Sequence, residues 1–267
     1  MDRIATPLAL LFASLSATAA ETVSMPAWQT YFAAQGVRGT FVLLDPAKDA
    51  YFVLDEGRAR RGYLPASTFK VPNALIGLEV GSIADENEVF KWDGKPKWRP
   101  EWERDQTLAT GMRDSVVWMF QDVARRTGKA RMKEWLARLD YGNRDIGGGI
   151  DLFWLQGNLR VSAMQQVDFL HKLAEGRLPM SQRSQRLVRE AMVLEKTRDY
   201  TLYGKTGTTG GKAPLNWWVG WVERRGKPAG YFAMNLDAQD TTKYADRFAI
   251  GRGILREAGV LPADTLN

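Results

Sequence analysis

The sequence predicts an α+β fold in which both chain ends build one antiparallel sheet and a helical lobe is inserted between its two halves. Short runs of β-forming residues cluster near the two ends, and amphipathic stretches of helical period fill the middle. The length, 267 residues, is enough to bury a full core and to form one large domain or two interleaved lobes.

Taken in order, Gly39 to Leu44 and Tyr51 to Leu54 flank the turn residues Asp45-Pro46-Ala47-Lys48 and predict a β-hairpin. Helices are predicted over Pro72 to Val80, Ser115 to Thr127, Lys129 to Leu139, Ser162 to Ala174 and Ser181 to Leu194. The fourth of these opens on a capping box, Ser162 with Gln165. Asn143 to Ile150, with Gly147-Gly148-Gly149, predicts a loop. Strands follow at Tyr200 to Tyr203, Leu215 to Val222 and Tyr231 to Leu236. In the second of these, Trp217, Trp218, Val219, Trp221 and Val222 are apolar on both faces, so both faces must be covered. Tyr244 to Glu257 is amphipathic and predicts a final helix. The sheet lobe then takes residues 21–62 and 196–267, and the helical lobe takes 63–195. The cleft between lobes is the natural place for a site.

Residues 1–20 have the parts of an export signal: Arg3, the apolar stretch Ile4 to Leu15, and the small residues Ala17-Thr18-Ala19-Ala20. Export to the periplasm would leave a mature chain starting near Glu21. No later apolar run is long enough to span a membrane. The chain has no cysteine and a single histidine, His171. Thiol catalysis and Cys-ligated metals are therefore excluded, and a zinc hydrolase would lack its imidazoles. A Ser-His-Asp triad would have to use His171, which the helical pattern around it places on a helix surface. The net charge of +6 is spread out, with its densest cluster at Arg58, Arg60 and Arg61. Without a basic stripe carrying interleaved aromatics, nucleic acid is not an expected partner. A surface-mediated homodimer is compatible with the sequence, and no feature demands one.

Several short motifs carry the chemistry. Ser67-Thr68-Phe69-Lys70 lies just ahead of Pro72, a residue favoured at the first helical position. Spacing of i, i+3 puts Ser67 and Lys70 on one face of an α or 3₁₀ turn. A serine hydroxyl is a poor nucleophile without an adjacent base. A lysine amine is a base only when neutral, which apolar burial favours. The nearby helix N-terminus adds backbone donors for an oxyanion. Taken alone, the same residues describe a capped helix with a solvated lysine. Lys205-Thr206-Gly207, directly after the strand predicted at Tyr200 to Tyr203, can bind a substrate carboxylate, or can be a plain strand end. Ser115-Val116-Val117 and Tyr141-Gly142-Asn143 taken singly are a helix start and a left-handed helix stop. Their order and spacing together form the constellation of penicillin-recognising serine enzymes.

On these motifs the chain resembles the class D β-lactamases, the oxacillinase type. Ser67-Thr68-Phe69-Lys70, Ser115-Val116-Val117, Tyr141-Gly142-Asn143 and Lys205-Thr206-Gly207 match that family's four motifs in order. Trp154 matches its active-site-loop tryptophan, and Arg247 falls where it places a carboxylate-binding arginine. The resemblance implies the two-lobed β-lactamase/transpeptidase fold and hydrolysis of β-lactams, with resistance as the outcome. It implies Ser67 as nucleophile and Lys70 as a base carboxylated by CO₂ to N6-carboxylysine, with no other cofactor and no metal. It further implies that Trp154 stabilises the carbamate, Val117 keeps the lysine pocket dry and Ser115 relays a proton. Lys205, Thr206, Gly207, Thr208 and Arg247 would hold the substrate, with Thr208 N–H in the oxyanion hole. A β-lactam sensor domain, a penicillin-binding transpeptidase and a non-enzymatic exported binding protein are the competing expectations.

Overall fold

The computed structural model describes residues 20–211, 214–238 and 246–263. The predicted export signal lies outside them except for Ala20, as do Tyr244 and Ala245 of the predicted last helix.

The N-terminal part contributes β1 (Glu21–Ser24), α1 (Gln29–Ala34), β2 (Gly39–Asp45), β3 (Ala50–Leu54) and α2 (Glu56–Arg60). The predicted hairpin is β2–β3. Its turn is held by the Asp45 carboxylate, which accepts from the Ala47 and Lys48 amides. The middle contributes α3 (Lys70–Glu79), α4 (Leu108–Arg113), α5 (Val117–Thr127) and α6 (Lys129–Arg138). It continues with α7 (Ala163–Ala174) and α8 (Gln182–Ala191). The C-terminal part returns to the sheet with β4 (Val193–Lys196), β5 (Tyr200–Thr208), β6 (Leu215–Arg224) and β7 (Lys227–Asp237), and ends in α9 (Asp246–Glu257).

Among the described residues the strands form a seven-stranded sheet of order β1-β3-β2-β7-β6-β5-β4. The two chain ends meet at its centre, where β2 pairs antiparallel with β7 and Leu43 faces Phe232. The expected antiparallel arrangement departs at one edge: β1 pairs parallel with β3. The chain reaches β3 from β1 through α1 and β2 rather than through a tight hairpin, so the parallel pairing is accessible.

Strand β6 shows why both faces of the sheet are covered. Leu215, Trp217, Val219 and Trp221 point into the core shared with the helical lobe. Trp218 and Val222, of opposite parity, point into a second core with Trp28, Phe32, Ile250 and Ile254 of the terminal segments. Helix α7 lies on the first face, against β7, β2 and β6, and α9 lies on the other. The capping box that starts α7 is present: the Gln165 amide donates to Ser162 Oγ at 3.1 Å, and the Ser162 amide to Gln165 Oε1 at 3.0 Å.

Several boundaries differ from the sequence expectation; β7, for one, begins at Lys227, four residues before Tyr231. The helix predicted to run to Leu194 stops at Ala191, and Val193–Lys196 forms the edge strand β4, because pairing with β5 overrides the helical pattern. The strand predicted to end at Tyr203 continues to Thr208, its ladder with β6 running on to the Thr208–Asn216 pair. Lys205-Thr206-Gly207 therefore lies within β5, not after it.

Candidate active site

Ser67 sits in a 3₁₀ turn, Ala66–Phe69, that runs straight into α3. The helix begins at Lys70, two residues earlier than Pro72 suggested, and Pro72 falls in its first turn. Ala66, immediately before Ser67, has a φ of +48°, a left-handed conformation that costs a β-carbon-bearing residue energy. Distant segments hold it there. The Ala66 amide donates to Trp154 O at 3.0 Å, and the Trp217 indole to Leu64 O at 2.9 Å. From behind, Thr68 Oγ1 donates to Pro65 O at 2.8 Å and accepts from Gln166 Nε2 at 2.8 Å. Gln166 Oε1 in turn accepts from the Tyr141 hydroxyl at 3.3 Å. The Ser67 turn is thus tied to α7, β6 and the Trp154 loop.

Lys70 has 0% of its surface exposed, and its Nζ donates to Ser67 Oγ at 2.8 Å. Burial, followed by the positive charge of Lys205, holds its amine well below the ordinary lysine range. The amine is therefore disposed to be neutral and basic. No carboxylate among the described residues forms an ion pair with it, and its Nζ lies 5.7 Å from the centre of the Phe120 ring. Trp154 is fully buried and stacks on Phe69 with centroids 5.2 Å apart. Its indole Nε1 is buried without an acceptor among the described residues. A buried donor left unpaired is costly and marks a place where an acceptor belongs. Val117, the first residue of α5, packs half-buried against the same core.

Lys205 closes the cluster from β5. Its Nζ donates to Ser115 Oγ at 2.9 Å and to Thr206 O at 3.1 Å. Burial, then the charges of Arg247 and Arg99, bring its amine down to about 7. In the unbound enzyme Lys205 therefore loses its proton as pH rises through about 7. Because kcat/KM reports the free enzyme, its pH profile for a carboxylate-bearing substrate is expected to fall on the alkaline side of that value. The same shift raises stability with pH: from about 7 up to the unfolded value of 10.5 the unfolded chain holds a proton there that the folded chain does not.

Ser115 is not the helix N-cap its position suggested. It has a φ of +57°, and α5 is capped at Val116 with no side-chain cap bond. The left-handed turn is held through Asp114, whose carboxylate takes Arg104 at 2.7 Å and Arg113 at 2.9 Å. Its carbonyl accepts from the Trp102 indole at 2.9 Å.

Gly207 is needed for close approach, against the Ser67 turn itself. A β-carbon there would stand 2.8 Å from Pro65 O and 3.2 Å from the Thr68 amide nitrogen. Gly207→Ala is expected to push β5 off the turn, costing about 1–3 kcal/mol in denaturant unfolding and about a hundredfold in kcat. Thr206 and Thr208 flank it half-buried, and Thr208 Oγ1 donates to Asn216 Oδ1 at 2.8 Å. Arg247 reaches β5 from α9, its Nη1 donating to Gly207 O and Trp217 O, each at 3.1 Å. Asn143 fixes the Trp154 loop by donating to Asn158 O and accepting from the Arg160 amide, both at 2.9 Å. His171 stands apart from this cluster; its partners are Glu175, Arg177 and the Tyr231 ring.

The structure thus gathers Ser67, Lys70, Ser115, Lys205 and Trp154, with Val117, Thr206, Gly207, Thr208 and Arg247 around them. Sequence reasoning missed Ala66, Trp102, Phe120 and Gln166. Of these only Gln166 left a signal, as a polar residue on the apolar face that Met164, Val167 and Leu170 define in α7.

Residues 39–256 match the penicillin binding protein transpeptidase domain family. The β-lactamase OXA-5 of Pseudomonas aeruginosa is 42% identical over 98% of this chain and 99% of its own. The β-lactamase OXA-48 of Klebsiella pneumoniae is 41% identical over 93% of this chain and 94% of its own. The crystal structure of FUS-1 (OXA-85), a class D β-lactamase from Fusobacterium nucleatum subsp. polymorphum, superposes with a TM-score of 0.86 at 36% identity. It covers 90% of this chain and 100% of that one. Full-length similarity to named OXA enzymes, together with this superposition, places the chain in the class D β-lactamase family.

Proposed function

We propose that the protein hydrolyses β-lactam antibiotics through an acyl-enzyme on Ser67, with Lys70 carboxylated on Nζ as the base of both steps. The observation that carries the proposal is the fully buried Lys70 amine, 2.8 Å from Ser67 Oγ and without an anionic partner among the described residues. Carboxylation by CO₂ supplies an anionic base that reaches beyond the amine, and a neutral amine is the form that adds CO₂. The orphaned Trp154 indole N–H supports this, being a donor that a carbamate oxygen would satisfy.

Lys70 takes the Ser67 proton as Oγ attacks the lactam carbonyl. The oxyanion accepts from the backbone N–H groups of Ser67 and Thr208. As the C–N bond breaks, Ser115, hydrogen-bonded to Lys205, gives its proton to the lactam nitrogen and takes in its place the one held by Lys70, which leaves that base free again. Lys205, Thr206 and Arg247 hold the substrate carboxylate. Water then attacks the acyl carbonyl, gives its proton to the same base, and Ser67 leaves with a proton restored. Residues 1–20 act as an export signal to the periplasm, where the enzyme confers resistance. That the first strand begins at Glu21 supports cleavage just before it.

The transpeptidase-domain match keeps a second reading in view, a penicillin-recognising protein that stays acylated. Nitrocefin separates the two. Many turnovers per enzyme are expected, whereas a single stoichiometric burst followed by silence would rule out hydrolysis.

A further inference from the structure

The wall of the Ser115 turn continues outward into the segment before α4. A 3₁₀ turn, Pro100–Trp102, is capped by Arg99. Trp102 locks it in place. Its amide donates to Arg99 O at 2.9 Å and its indole to Asp114 O at 2.9 Å, one residue before Ser115. The Trp118 indole of α5 donates to Trp102 O at 3.0 Å. Trp98 packs edge-on against Trp102 with centroids 5.9 Å apart and is 79% exposed, so this wall ends in an open indole.

The arginines of this neighbourhood are not equivalent. Arg104 and Arg113 close on Asp114 at 2.7 and 2.9 Å. Arg125 and Arg126 close on Asp151 and Glu88 at 2.8 and 2.7 Å. Among the described residues Arg99 has one carboxylate partner, Glu101, and it lies 3.6 Å from Nε, beyond hydrogen-bond length. The two side chains are 46% and 50% exposed, the condition in which an ion pair is weak and easily exchanged. Arg99 nevertheless acts on the site, because its charge helps to hold down the buried Lys205 amine. An under-paired guanidinium on the wall of the Ser115 turn is suited to a planar carboxylate.

We propose that Arg99 determines specificity by recognising β-lactams whose acyl side chain carries a carboxylate of its own. This rests on the hydrolase reading above, in which Lys205, Thr206 and Arg247 take the carboxylate of the ring system. Arg99 belongs to a different element, the Ser115 wall, and exchanges Glu101 for the second carboxylate. The exposed Trp98 ring beside it offers a shelf for an aryl group on the same side chain.

Benzylpenicillin and carbenicillin differ by this one carboxylate and give a matched test. The readout is the ratio of kcat/KM, carbenicillin over benzylpenicillin, taken within one preparation so that the folded fraction cancels. Arg99→Gln is expected to lower the ratio about fivefold, and Glu101→Gln to raise it about twofold by freeing the guanidinium. Added salt is expected to lower the wild-type ratio. An unchanged ratio in Arg99→Gln, with benzylpenicillin still turned over, overturns the role of Arg99 and leaves the hydrolase reading standing. Failure of the wild type to turn over benzylpenicillin overturns both.

Discussion

Lys70→Ala is expected to lower β-lactam turnover by a factor on the order of 10⁴ or more, because in the proposed mechanism one side chain serves as base for acylation and deacylation alike. The variant loses the group that sits 2.8 Å from Ser67 Oγ, and no histidine stands near enough to replace it. Wild-type turnover at limiting substrate is expected to rise with added bicarbonate, and ¹³C-labelled bicarbonate should give a carbamate signal that Lys70→Ala lacks. Turnover indifferent to bicarbonate between about pH 6 and 8, with no carbamate signal, would return Lys70 to the role of a free amine.

Trp154→Phe is expected to slow deacylation by on the order of a hundredfold or more while leaving acylation measurable. The substitution keeps an aromatic ring stacked on Phe69 and removes the indole donor that lies buried without an acceptor. The proposed carbamate, deprived of that donor in a dry pocket, would lose stability, and deacylation would wait for it. Pre-steady-state kinetics with a chromogenic cephalosporin separate the two steps, and labelled bicarbonate should show less carbamate in the variant. Equal, small losses in both steps would mark Trp154 as a core residue and nothing more.

Much of the fold was legible because its strongest signals are local. The turn residues Asp45 to Lys48, the capping box at Ser162 and the two-faced apolar strand at Trp217 to Val222 each declare themselves within a few residues. Strand β4 did not, because Val193–Lys196 is stabilised by pairing with β5 rather than by its own pattern. The same holds for the end of β5: Lys205 and Thr206 look like loop residues until the ladder with β6 is seen. At the site, residue types and spacing pointed to Ser67 and Lys70, and the later motifs separated them from coincidence. What could not be seen was the support behind them. Ala66 at φ +48° and Ser115 at φ +57° carry no sequence signature, because neighbours far along the chain impose those conformations. Gly207 was anticipated as a place of close approach for a substrate, and the approach the structure shows is that of the Ser67 turn.

The central β2–β7 pairing also governs when this protein can exist as a folded object. Leu43 meets Phe232 in the middle of the sheet, and the Ser67 turn leans on Trp154, Gln166 and Trp217. Contacts of such long sequence separation close slowly, since the loop entropy is lost before the pairing repays it. A nascent chain that has emerged only as far as α8 lacks β7 and the Trp217 indole, and so has neither a closed sheet nor a fixed Ser67 turn. The sheet therefore stays open until nearly the whole length of the chain is free.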